Sequence, residues 1–144
     1  LAHPEMSDPT RGGPNEVWSF GERAYRIIRE ILFLRERLRP YIMDQMKLAS
    51  AKGIPPMRPL FFDFPEDTKC VDVDDQFLFG PDILVAPVLH SGKTKRKVYL
   101  PDGASWTDAW TGKKFKGGQT VNADAPLEKI PLFLKNGRKL PIRP

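Results

Sequence analysis

The sequence is poor in the residues that most often mark a metal centre, a disulfide framework or a catalytic triad. It contains 1 cysteine, Cys70, and 2 histidines, His3 and His90. A lone cysteine excludes an internal disulfide framework and a cysteine-based zinc site. The two histidines lie far apart in sequence and form no His-x-x-x-His pair, and no Gly-x-Ser-x-Gly motif is present. We therefore expect no metal and no cofactor.

Long apolar runs are also absent, which excludes a transmembrane helix and a membrane partner. Residues 1–5 (LAHPE) lack the basic start and apolar centre of a secretory signal, and the chain does not begin with methionine. We expect a piece of a longer protein. The single cysteine is compatible with a reducing compartment, so we expect a cytoplasmic location in a bacterium.

The formal net charge of +5, with 40% hydrophobic and 28% charged residues, is typical of a globular chain with a basic surface. Lysine and arginine are scattered rather than arranged in a stripe with interleaved aromatic residues, so we expect no nucleic-acid partner. The densest cluster, residues 93–97 (KTKRK), reads as a loop that enters a strand.

Apolar residues recur at three- and four-residue steps over residues 20–51, which predicts one long amphipathic helix. Pro40 lies inside this pattern, and proline removes a helical hydrogen bond and clashes with the preceding turn. The sequence therefore predicts a kink or break near Arg39. Gly53, followed by two prolines, predicts the end of the helix.

The second half of the chain reads as strands. Residues 57–64 (MRPLFFDF) are short, apolar and bounded by prolines, which indicates a buried strand. A polar connection with one helical turn is expected over 65–75, and further strands over 77–79 and 83–88. Turn residues then recur at short spacing up to Asn136-Gly137, which predicts a final hairpin. This spacing favours an antiparallel sandwich or barrel.

Two residues are candidates for proximity to a substrate. Asp63 lies at the C-terminal end of the predicted 57–64 strand, where a barrel enzyme places active-site residues. It could equally cap a turn or pair with Arg58 or Lys69. Trp18 lies in the loop that leads into the long helix, and there packing and substrate contact are both open. A single carboxylate cannot supply both a general acid and a base or nucleophile, so we predict no catalytic residue in this chain.

Structural roles are the favoured interpretation for two further clusters, one of tryptophans and one of aspartates. Trp106 and Trp110 alternate with Asp108 on one predicted strand face, which suits stacking on sugar rings, but sandwich core is the favoured interpretation. Three aspartates (Asp72, Asp74, Asp75) resemble the start of a calcium loop, yet a phenylalanine occupies the position where that loop needs glycine and no glutamate closes it. A turn or capping role is expected for them.

Five segments together resemble glycoside hydrolase family 31. They are residues 13–21 (GPNEVWSFG), 34–42 (LRERLRPYI), 56–65 (PMRPLFFDFP), 75–88 (DQFLFGPDILVAPV) and 106–112 (WTDAWTG). The resemblance implies a (β/α)8 barrel followed by a β-sandwich, and it implies retaining α-glycosidases whose two catalytic aspartates lie in segments that this chain does not contain. The family's substrate-binding histidine lies in an Arg-x-His setting, which His3 does not match.

The resemblance leads to an α+β fragment. Residues 1–65 would be the end of the catalytic barrel (loop, long helix, eighth strand), and residues 66–144 would be the proximal C-terminal β-sandwich. The expected function is the non-catalytic part of an α-xyloside or α-glucoside hydrolase. A stand-alone carbohydrate-binding module and a family 31 transglycosylase or lyase are the alternatives. Expected partners are an α-linked oligosaccharide, bound through the parent enzyme, and the rest of the parent chain, and homo-oligomerisation is left open.

Overall fold

The computed structural model describes residues 16–143. The chain divides into two compact units, with the boundary between Glu36 and Arg37. The sequence also predicts a loop over residues 1–16; His3 and residues 1–15 of that loop lie outside the described residues. Among the helices of residues 16–143, none combines the length and apolar character that a bilayer crossing requires.

The long helical pattern folds as two helices, α1 (Glu22–Arg37) and α2 (Arg39–Lys52). Leu38 separates them, and the proline of the predicted break lies in the first turn of α2. There the missing amide costs nothing, because the first amides of a helix have no partner in any case. Gly53 ends α2 in the left-handed conformation, with its amide bonded to the Ala49 carbonyl oxygen. The predicted break and end are confirmed.

The predicted strand over 57–64 is wrong beyond its first two residues. Strand β1 covers only Met57–Arg58, and a single helical turn, α3 (Leu60–Asp63), follows. Pro59 stands between them and has no amide to continue a ladder. β1 also pairs antiparallel with β2, so it is not a lone barrel strand without neighbours. The assignment of residues 1–65 to the end of a barrel, and the division at residue 65, stay predictions.

The remaining strands form two antiparallel sheets. A six-stranded sheet has the order β1-β2-β3-β8-β5-β6, and β4 pairs with β7 in a two-stranded sheet. A 3-10 turn at Thr68–Val71 occupies the predicted polar connection. The strand bounds are β2 Phe77–Phe79, β3 Ile83–Val85, β4 Lys95–Leu100, β5 Ser105–Asp108, β6 Lys114–Lys116, β7 Gln119–Asp124 and β8 Leu132–Lys135.

One hydrophobic core is shared by both sheets and by α3. Its most buried members come from the six-stranded sheet, the two-stranded sheet, α3 and the 3-10 turn: Leu78, Leu84, Trp106, Phe133, Val98, Leu100, Leu60 and Cys70. Gln76 joins the two sheets, since its side-chain amide exchanges two hydrogen bonds of 2.8 Å with the backbone of Tyr99. The described residues thus form an α+β fold with antiparallel sheets, as expected.

The expected return strand after Asn136-Gly137 does not form. Both turn residues have positive φ, and the Arg138 amide closes the turn on the Lys135 carbonyl oxygen. However, β8 already pairs with β3 on one side and β5 on the other. No edge of β8 is left for another strand. Arg37 instead holds the last residues, by donating to the carbonyl oxygens of Pro141 and Ile142 at 3.1 and 3.0 Å.

Candidate functional site

The Asp63 carboxylate forms an ion pair with the Arg58 guanidinium. The Arg58 guanidinium donates to both carboxylate oxygens, at 2.6 and 3.1 Å, and also to the Pro55 carbonyl oxygen. The Arg58 side chain is 5% exposed and that of Asp63 19%. A bidentate pair of this kind fixes the turn of chain between β1 and α3. The alternative in which Asp63 pairs with Arg58 is confirmed, while its proximity to a substrate stays a prediction.

Trp18 lies in the short turn before α1 and is 68% exposed. The turn is closed locally, because the Ser19 amide donates to the Glu16 carbonyl oxygen at 2.9 Å and the Ser19 hydroxyl donates to the Glu16 carboxylate at 3.1 Å. The indole therefore stands on a structured turn with most of its surface free. A contact with substrate stays a prediction for this residue.

The two tryptophans near β5 do not share one face. Trp106 is fully buried, and its indole N–H donates to the Pro101 carbonyl oxygen at 3.0 Å. Trp110 lies beyond the end of β5, in a turn whose amides are held by the Asp108 carboxylate. Its indole N–H donates to the Ile130 carbonyl oxygen at 2.7 Å. The core interpretation is confirmed for Trp106, and no paired aromatic platform exists at these two positions.

A small cleft of about 320 Å³ is lined by four acidic residues, Asp63, Glu66, Asp67 and Asp102. Asp63 is bound by Arg58, and Asp102 accepts a hydrogen bond from the next amide. Glycoside hydrolysis needs two carboxylates free to exchange protons or attack carbon across the substrate. Asp63 and Asp67 are both engaged in internal bonds, and the absence of a catalytic residue stays a prediction.

Asp67 is the most connected carboxylate of the cleft, and the sequence pattern did not single it out. It accepts hydrogen bonds from the Tyr99 hydroxyl at 2.7 Å, the Asp102 amide at 2.8 Å and the Lys69 amide at 3.2 Å. Burial by itself raises the pKa of Asp67, but hydrogen bonds donated by Asp102, Tyr99, Lys69 and the Cys70 thiol outweigh it and hold the pKa below its usual range. Asp67 thereby ties the 3-10 turn to β4.

A further ion pair joins β4 to the segment before β2. Arg96, on β4, pairs with the Asp75 carboxylate at 2.6 Å and donates to the carbonyl oxygens of Asp75 and Pro87. Of the three clustered aspartates, Asp75 thus forms an ion pair. Within residues 16–143 no group of histidine, cysteine, aspartate or glutamate side chains could hold a metal ion.

Helix α2 is fixed to the six-stranded sheet through Tyr41. Its hydroxyl donates to the Phe79 carbonyl oxygen at 3.0 Å and accepts from the Asp82 amide at 3.2 Å. Burial raises the pKa of this hydroxyl, so it stays a neutral donor. Gly80, with φ +59°, lies against the Tyr41 side chain. A β-carbon on Gly80 would overlap Tyr41 and approach Gln45 Cδ to 2.8 Å.

An exposed apolar surface lies around α3. Leu60 points into the core, while Phe61 and Phe62 are 45% and 48% exposed. Met57 and Val71 are exposed alongside, and with Phe61 they line a groove of about 420 Å³. We call Met57, Phe61, Phe62 and Val71 the α3 patch. Sequence periodicity missed it, because a continuous apolar run read as a buried strand.

Comparison with known proteins identifies the fold. The model of the glycosyl hydrolase family 31 C-terminal domain matches residues 53–139. Alpha-glucosidase 2 of Bacillus thermoamyloliquefaciens is 40% identical over 122 residues, 85% of this chain and 15% of that protein. The alpha-xylosidase of Saccharolobus solfataricus is 38% identical over 129 residues, 90% of this chain and 18% of that protein.

A solved structure gives the same family relationship as the sequence comparisons. A family 31 alpha-xylosidase from a soil metagenome, complexed with xylose, superposes with a TM-score of 0.84 at 54% identity. The match covers 88% of this chain and 19% of that one. This chain therefore spans less than a fifth of the length of each of these three relatives. Its sequence, its antiparallel sheets and its match to the C-terminal domain model show that the chain belongs to glycoside hydrolase family 31.

Proposed function

We propose that this chain is the non-catalytic C-terminal part of a retaining α-glycosidase that hydrolyses α-xylosides or α-glucosides. The observation that carries the proposal is the 54% identity with an alpha-xylosidase over 88% of this chain. The charged groups support it, because Asp63, Asp67 and Asp75 are all held by internal partners. Two catalytic carboxylates would then come from the rest of the enzyme, which acts in the bacterial cytoplasm.

In this proposal the helical part of residues 1–65 completes the catalytic barrel, and the sheets form the sandwich that follows it. The xyloside assignment has the stronger support, since the structural relative of 54% identity was solved with xylose bound. Trp18 and Asp63 are the residues of this chain nearest the substrate in the proposed enzyme. The Arg58 partner of Asp63 makes Trp18 the better candidate for direct contact.

The test uses a chimera in which this chain replaces the matching C-terminal part of the soil-metagenome alpha-xylosidase. We expect the chimera to hydrolyse an aryl α-xyloside and the 144-residue chain alone to hydrolyse neither the xyloside nor the glucoside. Turnover by the isolated chain would contradict the proposal, as would a chimera that folds but has no activity. Product analysis by mass spectrometry separates hydrolysis from transglycosylation and from lyase chemistry.

A further inference from the structure

The tight turn after β8 is built on Asn136 and Gly137. Asn136 has φ +50° and Gly137 has φ +71°, and the Arg138 amide closes the turn by donating to the Lys135 carbonyl oxygen at 2.9 Å. Asn136, Gly137 and Arg138 are all exposed. Asparagine is a chemically labile residue, and it is most labile before glycine, because the next backbone nitrogen is then unshielded. A β-carbon added to Gly137 would meet nothing within 4 Å.

The two residues can react with each other and with water, without any cofactor. The Gly137 nitrogen attacks Asn136 Cγ and forms a C–N bond, which closes a five-membered succinimide ring. The side-chain nitrogen leaves as ammonia and takes the proton that the Gly137 nitrogen gives up. Water then opens the ring at one of its two carbonyl carbons. Opening at one carbon gives aspartate, and opening at the other gives isoaspartate, in which the backbone runs through the former side-chain carbon.

The folded turn holds the two reacting atoms apart. Positive φ at both central residues is the signature of a type I′ turn, in which the first central residue has a ψ of about +30°. At that angle the Gly137 nitrogen lies nearly opposite the Asn136 β-carbon about the Cα–C bond, whereas the succinimide ring requires both atoms on the same side. Ring closure therefore needs a rotation inside the turn, which breaks the hydrogen bond between Arg138 and Lys135.

Ser105, the first residue of β5, holds the turn in its folded state. The Asn136 amide donates to the Ser105 carbonyl oxygen at 2.8 Å, and the Ser105 amide donates back to Asn136 Oδ1 at 2.9 Å. The Ser105 hydroxyl adds a longer bond of 3.4 Å to the same oxygen. Residues 138–143, which follow the turn, form no strand. Opening of the turn is therefore a local event, and local opening costs less free energy than global unfolding.

We propose that Asn136 is a site of spontaneous deamidation that the fold gates: the turn held by Ser105 keeps the Gly137 nitrogen from Asn136 Cγ, and opening of the turn permits ring closure. The two products affect the fold differently. Aspartate keeps an acceptor for the Ser105 amide and adds a charge to a cleft that four acidic residues already line. Isoaspartate adds an extra atom to the backbone of the turn, so the bond between Arg138 and Lys135 loses its register.

Peptide mapping by mass spectrometry measures the conversion after incubation of the chain at mildly alkaline pH, because amide and acid differ in mass and the two acid isomers separate by chromatography. We expect Asn136 to convert in the native chain roughly tenfold more slowly than in urea, since opening of the turn must precede the reaction. Asn122, which pairs with Lys97 inside β7, is the internal control and should stay intact in the native chain. An Asn136 as stable as Asn122 in the native chain would overturn the proposed site, and equal rates in the native and unfolded chains would overturn the gate.

Hydrogen exchange measures the gate separately. Protection of the Arg138 and Ser105 amides reports the opening of the two bonds that hold the turn. We expect their protection factors to match, within a few-fold, the ratio of the conversion rates of Asn136 in urea and in native buffer. Amides that exchange at the unfolded rate while the conversion stays suppressed would contradict gating by the turn.

Substitution separates the chemistry from the fold. Gly137→Ala places a methyl group beside the attacking nitrogen and should slow the conversion in urea several-fold. Gly53→Ala, a matched change at a glycine of similar φ that is not next to an asparagine, should leave that rate unchanged. Equal slowing by both changes would contradict the succinimide route. Asn136→Asp carries the charge without the extra backbone atom and should melt above the isoaspartate form of the parent, and equal melting temperatures would contradict the effect on the turn.

Discussion

Replacement of Gly80 by alanine tests how α2 is held on the sheet. Gly80 has φ +59°, a conformation that costs an L-residue about 1 kcal/mol or more. The new β-carbon would also overlap Tyr41 and displace its hydroxyl from Phe79 and Asp82. Each lost hydrogen bond of a buried group costs about 1 kcal/mol. The total expected loss of unfolding free energy is about 3 kcal/mol.

Gly53→Ala is the matched control. Gly53 has a similar φ of +68°, but nothing lies within 4 Å of an added β-carbon. The Gly53→Ala variant should therefore lose only the backbone contribution to the unfolding free energy, about 1 kcal/mol. For a chain of this size each kcal/mol lowers the melting temperature by about 3 °C, so Gly80→Ala should melt about 9 °C and Gly53→Ala about 3 °C below the parent.

Thermal and urea unfolding followed by the fluorescence of buried Trp106 measures both variants, since this residue lies in the same unit as α2 and the sheets. The difference between the two variants isolates the contact with Tyr41 from the backbone cost. Equal losses would refute the reasoning, because they would mean that the helix shifts freely and that Tyr41 does not fix it to the turn between β2 and β3.

Three further predictions concern titratable groups. The folded-state pKa of Asp67 lies below its unfolded value, so the stability that Asp67 contributes is present above about pH 4 and is lost as the pH falls below that value. Asp67→Asn should therefore weaken the dependence of urea unfolding on acid pH. An unchanged dependence would contradict this. Arg58→Met leaves the Asp63 carboxylate unpaired and should cost about 3 kcal/mol, whereas the double variant with Asp63→Leu should recover most of it; a double variant as unstable as the single one would argue against the pair. Burial raises the pKa of the Cys70 thiol to about 12, so iodoacetamide at pH 8 should alkylate it only after unfolding, and rapid reaction of the native chain would disprove its burial.

Local signals in the sequence located most turns and helix ends correctly. Pro40 marked the break between α1 and α2, and Gly53 marked the end of α2, because each acts through its own backbone. Asn136 and Gly137 formed a tight turn with positive φ for the same reason. The strand that should have followed depended on a free edge of β8, which is a property of the whole sheet and has no local signal.

Residues 57–64 show the limit of periodicity. A short apolar run bounded by prolines fits a buried strand and a buried helical turn equally well. The outcome depended on Pro59, which ended the ladder, and on Leu60, which alone of the three residues at 60–62 enters the core. The exposure of Phe61 and Phe62 followed from that turn, so the α3 patch could not be read from composition.

The internal polar bonds were missed for another reason. Gln76 and Asp67 reach partners 23 and 32 positions away in sequence. Their residue types are common in loops, and only the fold brings them to Tyr99. Asp63 was different, because its partner Arg58 is five positions away and lies within the same segment, so the pair could be named in advance as one alternative.

Helix α1 combines an apolar pattern with an absence of burial. It is 16 residues long and none of its residues is buried, although its apolar residues follow a helical period. A helix of about this length is marginal in water, and most helices in proteins owe their stability to packing of the apolar stripe. Leu32 and Phe33 are 44% and 52% exposed on it. The apolar period of α1 predicts a packed face, so the exposure of Leu32 and Phe33 is the feature of this helix that its sequence pattern does not explain.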